Sequence, residues 1–259
     1  MAGGKMRAGA FPTLVLALVI GSFAAAAAVE LDPTSARAER MAAVEAARFA
    51  RDFERLDTLR QQLERRRQPA DDAARYDAAY ALWRSQQLLR SRDRKDERYR
   101  RLGTARILLE PALAANDRDV EVMVLLGAVM AEQAERSVFS RIRLGRRAYA
   151  LLDRAVDLAP ENPRARLQRA VLLFFTPALL GGGPDVARGE FERVRSLFDA
   201  RPAPGDWPSW GAIDAHAWLG RALAAGGDAA GARAVYRAGL ALEPDAAWIR
   251  DVLLPKLDE

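Results

Sequence analysis

Cysteine is absent from this chain, and histidine occurs once, as His216. Without cysteine the chain has no disulfide, no thiol nucleophile and no cysteine that could carry a lipid. A single histidine without cysteine also excludes a zinc cluster built from these two residue types. The fold must therefore be held by packing, and the sequence predicts neither a metal nor any other cofactor.

Long apolar runs are lacking except at the N-terminus. Lys5 and Arg7 precede an apolar segment centred on Leu14–Ile20, which ends in the small residues Ala24–Ala28. A basic start, a short apolar middle and an Ala-x-Ala end are typical of a secretory signal peptide. Residues 1–28 are therefore interpreted as a signal peptide, which in a bacterium would direct the protein to the periplasm. The alternative is an uncleaved membrane anchor, since residues 11–29 are about long enough to span a bilayer.

Charge of one sign does not dominate this chain. The net charge is +5, from 40 basic and 35 acidic residues that are interspersed. This excess suits an acidic protein or anionic lipid headgroups, whereas nucleic acid is not expected for an exported protein. Two basic clusters, residues 90–101 and 136–147, are predicted to form a solvated rim at turns between helices, with an acidic partner or a membrane surface as alternatives.

Residues 213–245, "IDAHAWLGRALAAGGDAAGARAVYRAGLALEPD", carry two helical patterns. In each, apolar or small residues recur three and four positions apart, and Gly226-Gly227-Asp228 separates the two sets. This pattern predicts two paired helices. It resembles a tetratricopeptide repeat (TPR), with Leu219-Gly220, Ala232, Tyr236 and Pro244 at the matching positions.

Weaker copies of the same pattern precede this repeat. They lie at residues 73–117, 119–163 and 162–198, and the resemblance covers about residues 71–245. It implies an all-α fold: a right-handed superhelical stack of TPR-like helix hairpins forming one domain over residues 71–258. A long N-terminal helix is expected over residues 36–67, either as a cap on the first repeat or as a coiled-coil surface for self-association. Residues 246–257 are expected to form a C-terminal capping helix, because the last repeat would otherwise expose its apolar face.

Three glycines, Gly181–Gly183, interrupt the third repeat. A phosphate-binding P-loop needs a preceding strand and a following Gly-Lys-Ser/Thr, whereas here a helical segment precedes and Pro184-Asp185 follows. The glycines are therefore predicted to form a structural turn.

Catalytic residues are not predicted. His216 occupies a repeat position that normally packs against the neighbouring helix, and Asp71-Asp72 is typical of a helix start. A hydrolase that uses two of the many acidic residues remains an alternative of another class.

The resemblance implies a non-enzymatic scaffold or adaptor that binds a protein, peptide or small ligand on its concave face. The candidate binding residues are Arg166, Arg169, Trp218 and Arg221, because guanidinium groups beside an aromatic ring can bind a carboxylate and stack on an apolar group. The alternative is that they are solvated arginines and a packed tryptophan. Trp207 and Trp210 are either recognition residues in a loop or packing residues. The degenerate repeats and the apolar glycine-rich insertion also resemble the periplasmic T-components of TRAP-type solute transporters.

Overall fold

The computed structural model describes residues 36–66, 71–90, 93–200 and 210–259. The predicted signal peptide and Trp207 lie outside these ranges. Over the described ranges the chain forms helices and turns without a β-strand. The α-helices are α1 (Arg37–Phe49), α2 (Phe53–Arg66), α3 (Asp72–Leu89), α4 (Lys95–Ala115), α5 (Val120–Ala134), α6 (Val138–Leu158), α7 (Pro163–Phe175), α8 (Pro184–Ala200), α9 (Ala212–Ala225) and α10 (Ala229–Leu242).

Consecutive helices pack as hairpins, and the hairpins stack. The four pairs α3–α4, α5–α6, α7–α8 and α9–α10 pack most extensively, and each second helix also contacts the first helix of the next pair. The four predicted repeats and the all-α architecture are thereby confirmed. The right-handed twist of the stack stays a prediction.

Glycines at the Leu-Gly positions allow the two helices of a repeat to approach closely. A Cβ atom on Gly220 would lie 2.2 Å from the ring of Tyr236, and one on Gly127 would lie 2.7 Å from Cγ of Leu152. Neither distance leaves room for a side chain, so these positions require glycine if the packing is to be kept.

Side chains at the helix starts satisfy free backbone N–H groups. Asp71 accepts a hydrogen bond from the N–H of Ala74, which confirms that Asp71-Asp72 marks a helix start. Asp119, Ser137, Asn162 and Asp228 cap α5, α6, α7 and α10 in the same way. Such caps each contribute about 1 kcal/mol to helix stability.

The prediction of one long helix over residues 36–67 is wrong, because the chain turns between α1 and α2. Arg51 has a left-handed backbone, with φ of 54°, and the N–H of Asp52 donates to the carbonyl of Ala47 at 3.0 Å. The Asp52 carboxylate then accepts from the N–H of Arg55 at 3.0 Å and starts α2. The turn sends α2 against α3 and leaves α1 in contact with both α2 and α3.

The C-terminal residues cover the last repeat as predicted. Residues Ile249–Leu253 form a π-helical turn and Pro255–Leu257 a 3-10 turn, so the segment is irregular rather than a single α-helix. Ile249 and Leu253 are buried, and the turn that holds them packs on α9 and α10.

The Gly181–Gly183 segment is a turn, as expected. Gly181 and Gly183 have φ values of 80° and 110°, which favour glycine. The N–H of Gly183 donates to the carbonyl of Leu173 at 2.9 Å, and α8 begins directly afterwards at Pro184.

Candidate functional site

A buried ion network joins α1, α3 and α9. Arg84 lies at its centre: Nη2 is 2.7 Å from Oδ2 of Asp214, and Nε is 2.8 Å from Oε1 of Glu45. Arg48 contacts the same two carboxylates, at 3.1 Å from Asp214 and 2.6 Å from Glu45. The Tyr80 hydroxyl donates to Glu45 at 2.6 Å. The first and last repeats are therefore connected directly, by Arg84 and Asp214, and also through Arg48 and Glu45 of α1.

The charges in this network compensate one another. Burial opposes ionisation of Arg84, but the carboxylates of Asp214 and Glu45 outweigh it and raise the pKa of Arg84 well above its usual value. Burial likewise raises the pKa of Asp214, and the guanidinium groups of Arg48 and Arg84 more than reverse that effect, so the pKa is lowered overall. Arg84 and Asp214 are therefore held in their charged forms at neutral pH, and the network connects α1, α3 and α9.

Trp210 packs beside the buried ion network. Its ring is buried, with its centroid 5.4 Å from that of Trp83 and 5.9 Å from that of Tyr80. Its indole N–H donates to the Tyr76 hydroxyl at 3.3 Å, and the Arg84 guanidinium lies 5.2 Å from the ring centroid. Trp210 is thus a packing residue.

A second cluster lies where α7, α9 and the C-terminal segment meet. Phe174, Phe175 and Trp248 have ring centroids 5.5, 5.6 and 6.2 Å from that of Trp218. The guanidinium carbon of Arg221 lies 4.3 Å from the Trp218 centroid and within 6 Å of the other three. We call these four rings the aromatic cluster.

Arg221 differs from Arg84 because no carboxylate among the described residues pairs with it. Burial lowers the pKa of Arg221, the Tyr236 hydroxyl partly offsets this effect, and the positive charge of Arg90 lowers the pKa further. The guanidinium is therefore held on aromatic faces, half-buried, without a compensating negative charge. An anion bound beside it would provide that charge.

The structure separates the four predicted binding residues into two groups. Trp218 and Arg221 lie in contact. Arg166 instead pairs with Glu190 of α8 at 3.1 Å, and Arg169 pairs with Asp153 of α6 at 2.7 Å. A binding role for Arg166 and Arg169 stays a prediction.

Sequence reasoning did not include Phe174, Phe175 and Trp248 in the candidate site. The Phe174-Phe175 pair ends α7 and faces α9. An aromatic pair at the end of a first helix, followed one repeat later by Trp218 and Arg221, is the signal that could have identified the cluster.

His216 is buried, and its Nδ1 lies 2.9 Å from the carbonyl oxygen of Ala212. It is a core residue, as its repeat position predicts. In the described part of the chain, no group of acidic or histidine side chains is arranged to hold a metal ion.

Comparisons with known proteins establish the fold. No protein-family model and no curated protein matches the chain. Among solved structures, the thermophilic TPR protein TTC0263 of Thermus thermophilus is 19% identical with a TM-score of 0.58, and the alignment covers 86% of this chain and 98% of that one. The HusA haemophore of Porphyromonas gingivalis is 24% identical with a TM-score of 0.51, over 73% of this chain and 91% of that one. The chain therefore has a TPR-like solenoid fold.

Proposed function

We propose that this protein is an exported, non-enzymatic scaffold that binds an anionic partner at Arg221 and the aromatic cluster. The observation that carries the proposal is the half-buried guanidinium of Arg221, which rests on aromatic rings and lacks a carboxylate among the described residues. Export is supported by the basic and apolar sequence pattern of residues 1–28.

The chemistry of the site defines the partner. A guanidinium binds a carboxylate through two parallel hydrogen bonds, and aromatic faces bind apolar or planar groups. The site therefore fits a protein or peptide that presents a carboxylate next to an apolar side chain, as the C-terminus of a chain ending in an apolar residue does. A hydrogen bond to a charged group contributes about 1.5–3 kcal/mol. This is enough for Arg221 to determine which partners bind.

The test is recovery of partners from a lysate by the full chain, followed by identification of the proteins bound. Arg221→Gln and Trp218→Ala should lose partners that the wild type recovers. Arg193→Gln serves as a matched control, since it removes one exposed arginine outside the candidate site, where Arg193 pairs with Glu161 of the protein itself. If Arg221→Gln folds normally and recovers the same partners as the wild type, the proposed site is wrong.

Haem is a second candidate ligand. The aromatic cluster beside Arg221 suits a flat molecule with carboxylates, and the HusA haemophore shares the fold. Because His216 is buried, it does not offer a free axial ligand. Titration with hemin, followed by visible absorbance, tests this candidate: saturable binding that Arg221→Gln abolishes would support it, and identical spectra with both proteins would exclude this site.

A further inference from the structure

The first part of α6 extends past the end of the neighbouring helix α7. Arg169 of α7 pairs with Asp153, and Thr176, directly after α7, contacts Tyr149. The end of α7 therefore lies beside Tyr149, and residues 138–147 of α6 continue for about 15 Å at 1.5 Å per residue. This part of α6 lacks the cover that α7 gives to the remainder.

This extension carries exposed apolar side chains on one face. Phe139 is 86% exposed, and Val138 and Ile142 are also exposed. Val138 and Ile142 are four positions apart and Phe139 and Ile142 three apart, so Ile142 neighbours both on the helix surface. Leu144 is buried and holds the same helix against the core, so the apolar face points to solvent while the helix remains anchored.

The insertion between α7 and α8 adds a second group at the same end of the stack. Leu179 is 99% exposed, and Phe175 and Leu180 are exposed as well. The turns α5–α6 and α7–α8 both join the first helix of a repeat to the second, and stacked hairpins place such turns on one edge. We call these side chains the apolar rim: Val138, Phe139, Ile142, Phe175, Leu179 and Leu180.

Positive charge lies beside Val138, Phe139 and Ile142, the part of the rim that α6 contributes. Residues 136–152 contain five arginines and no acidic residue. Arg141, Arg143 and Arg146 are exposed, and no ion pair is found for them among the described residues.

The other basic cluster, at residues 90–101, differs because several of its arginines pair within the protein. Arg98 pairs with Glu135 at 2.9 Å, and Arg101 pairs with Asp57 at 2.6 Å. The two basic clusters therefore do not form one uniform solvated surface. Of these two clusters, it is residues 136–147 in which several arginines have no ion pair among the described residues.

We infer that the apolar rim and its arginines dock on an anionic phospholipid surface. Side chains that protrude from a helix end and a loop tip can enter the boundary between headgroups and acyl chains, while arginines bind the phosphate groups. The charged surface of an acidic protein would pair with the arginines. It would not remove from water apolar side chains that protrude as far as that of Leu179, whereas the acyl chains of a lipid bilayer would. Because Phe175 belongs to both the rim and the aromatic cluster, docking would place Arg221 near the bilayer.

The absence of cysteine allows a local test on the full chain. Phe139→Cys and, as control, Leu242→Cys are each labelled with an environment-sensitive NBD fluorophore; Leu242 is also an exposed apolar residue, at 63%, but lies on α10. Vesicles of phosphatidylethanolamine and phosphatidylglycerol should shift the emission of the label at 139 to shorter wavelength, and spin-labelled lipid should quench it. The label at 242 should not respond. Because the readout is local, attachment through another segment does not by itself place the label at 139 in lipid, and the label at 242 reports such attachment.

Charge dependence is tested in the Phe139→Cys background. Arg141→Gln/Arg143→Gln/Arg146→Gln should raise the lipid concentration needed for the emission shift by about tenfold or more, since each arginine contributes at a membrane surface. The charge-matched control Arg154→Gln/Arg188→Gln/Arg193→Gln should not change it. The inference is overturned if the label at 139 ignores vesicles, responds equally to pure phosphatidylcholine, or shifts with protein concentration alone, which would indicate self-association. It is also overturned if polyglutamate, but not vesicles, shifts the emission.

Discussion

Arg84 and Asp214 lie 130 residues apart in the sequence, yet their side chains form a buried hydrogen bond of 2.7 Å. Arg84 belongs to the first helix hairpin of the stack and Asp214 to the last. Arg48 of α1 contacts the same carboxylate from the other side. The described part of the chain is thus a stack whose two ends are joined by ions, rather than an open ribbon of repeats.

Removing Arg84 should destabilise the whole protein, because it leaves the carboxylates of Asp214 and Glu45 buried with less positive charge. Breaking a buried ion pair in this way costs about 3–5 kcal/mol. We expect Arg84→Met to lower the free energy of unfolding by that amount, measured by urea unfolding followed by circular dichroism. The control is Arg188→Met, which removes an exposed arginine paired with Glu192 and should leave the unfolding curve unchanged. Equal curves for Arg84→Met and the wild type would show that the network does not stabilise the fold.

Acid should weaken the same network. The pKa of Asp214 is lowered in the folded protein from an ordinary value of 3.8, so the unfolded carboxylate takes up a proton at higher pH than the folded one. The stabilisation is fully present above about pH 4 and is lost as the pH falls through the lowered pKa. Melting temperatures between pH 7 and pH 2 should therefore fall mainly below pH 4. Asp214→Asn should be less stable at neutral pH and depend less on pH in this range; an unchanged profile in that variant would contradict the assignment.

Gly220 provides a test of the repeat packing. We expect Gly220→Ala to lower the free energy of unfolding by about 1–3 kcal/mol, as overpacked positions do, because its Cβ would lie 2.2 Å from the Tyr236 ring. Gly189→Ala is the matched control: this glycine is also inside a helix, but an added methyl group would meet no neighbouring side chain within 4 Å. That variant should gain about 0.5–1 kcal/mol. Denaturant unfolding distinguishes the two, and destabilisation of both to the same extent would contradict the close-approach explanation.

Much of the fold could be predicted from the sequence because its signals are local. The pairing of Gly220 with Tyr236 follows from a repeat pattern within one hairpin, and Asp71 caps the helix that directly follows it. The break at Arg51 is not predicted by the sequence pattern because arginine is not typical of a left-handed backbone, although Asp52 is a recognisable helix start.

The site could be predicted only in part, because the partner of an arginine depends on distant residues. Arg169 and Arg221 both lie on first helices and look equivalent in the sequence. In the fold, Asp153 pairs with Arg169, whereas Arg221 lies on aromatic rings from α7, α9 and the C-terminal segment. Likewise, Arg48 and Asp214 are in contact although they lie 166 residues apart in the sequence. A repeat pattern does not predict contacts at that sequence separation.

Truncation after Glu243 tests the C-terminal cover. It removes Ile249 and Leu253, which are buried against the last repeat, and exposes the apolar surface beneath them. We expect a lower melting temperature and aggregation, measured by differential scanning fluorimetry and light scattering. Truncation after Leu257 keeps both residues and is the control, with melting expected near that of the wild type. An unchanged melting curve after the longer truncation would show that the segment is not needed as a cover.

The most direct test of the Arg221 site is calorimetric titration of the full chain with a short peptide that ends in phenylalanine. The peptide is compared in two forms, with a free C-terminal carboxylate and with an amide in its place. The account predicts saturable binding of the acid, binding of the amide weaker by about tenfold or more, and loss of that difference in Arg221→Gln. Equal binding of the acid and the amide to the wild type, or an undiminished preference for the acid in Arg221→Gln, would contradict it.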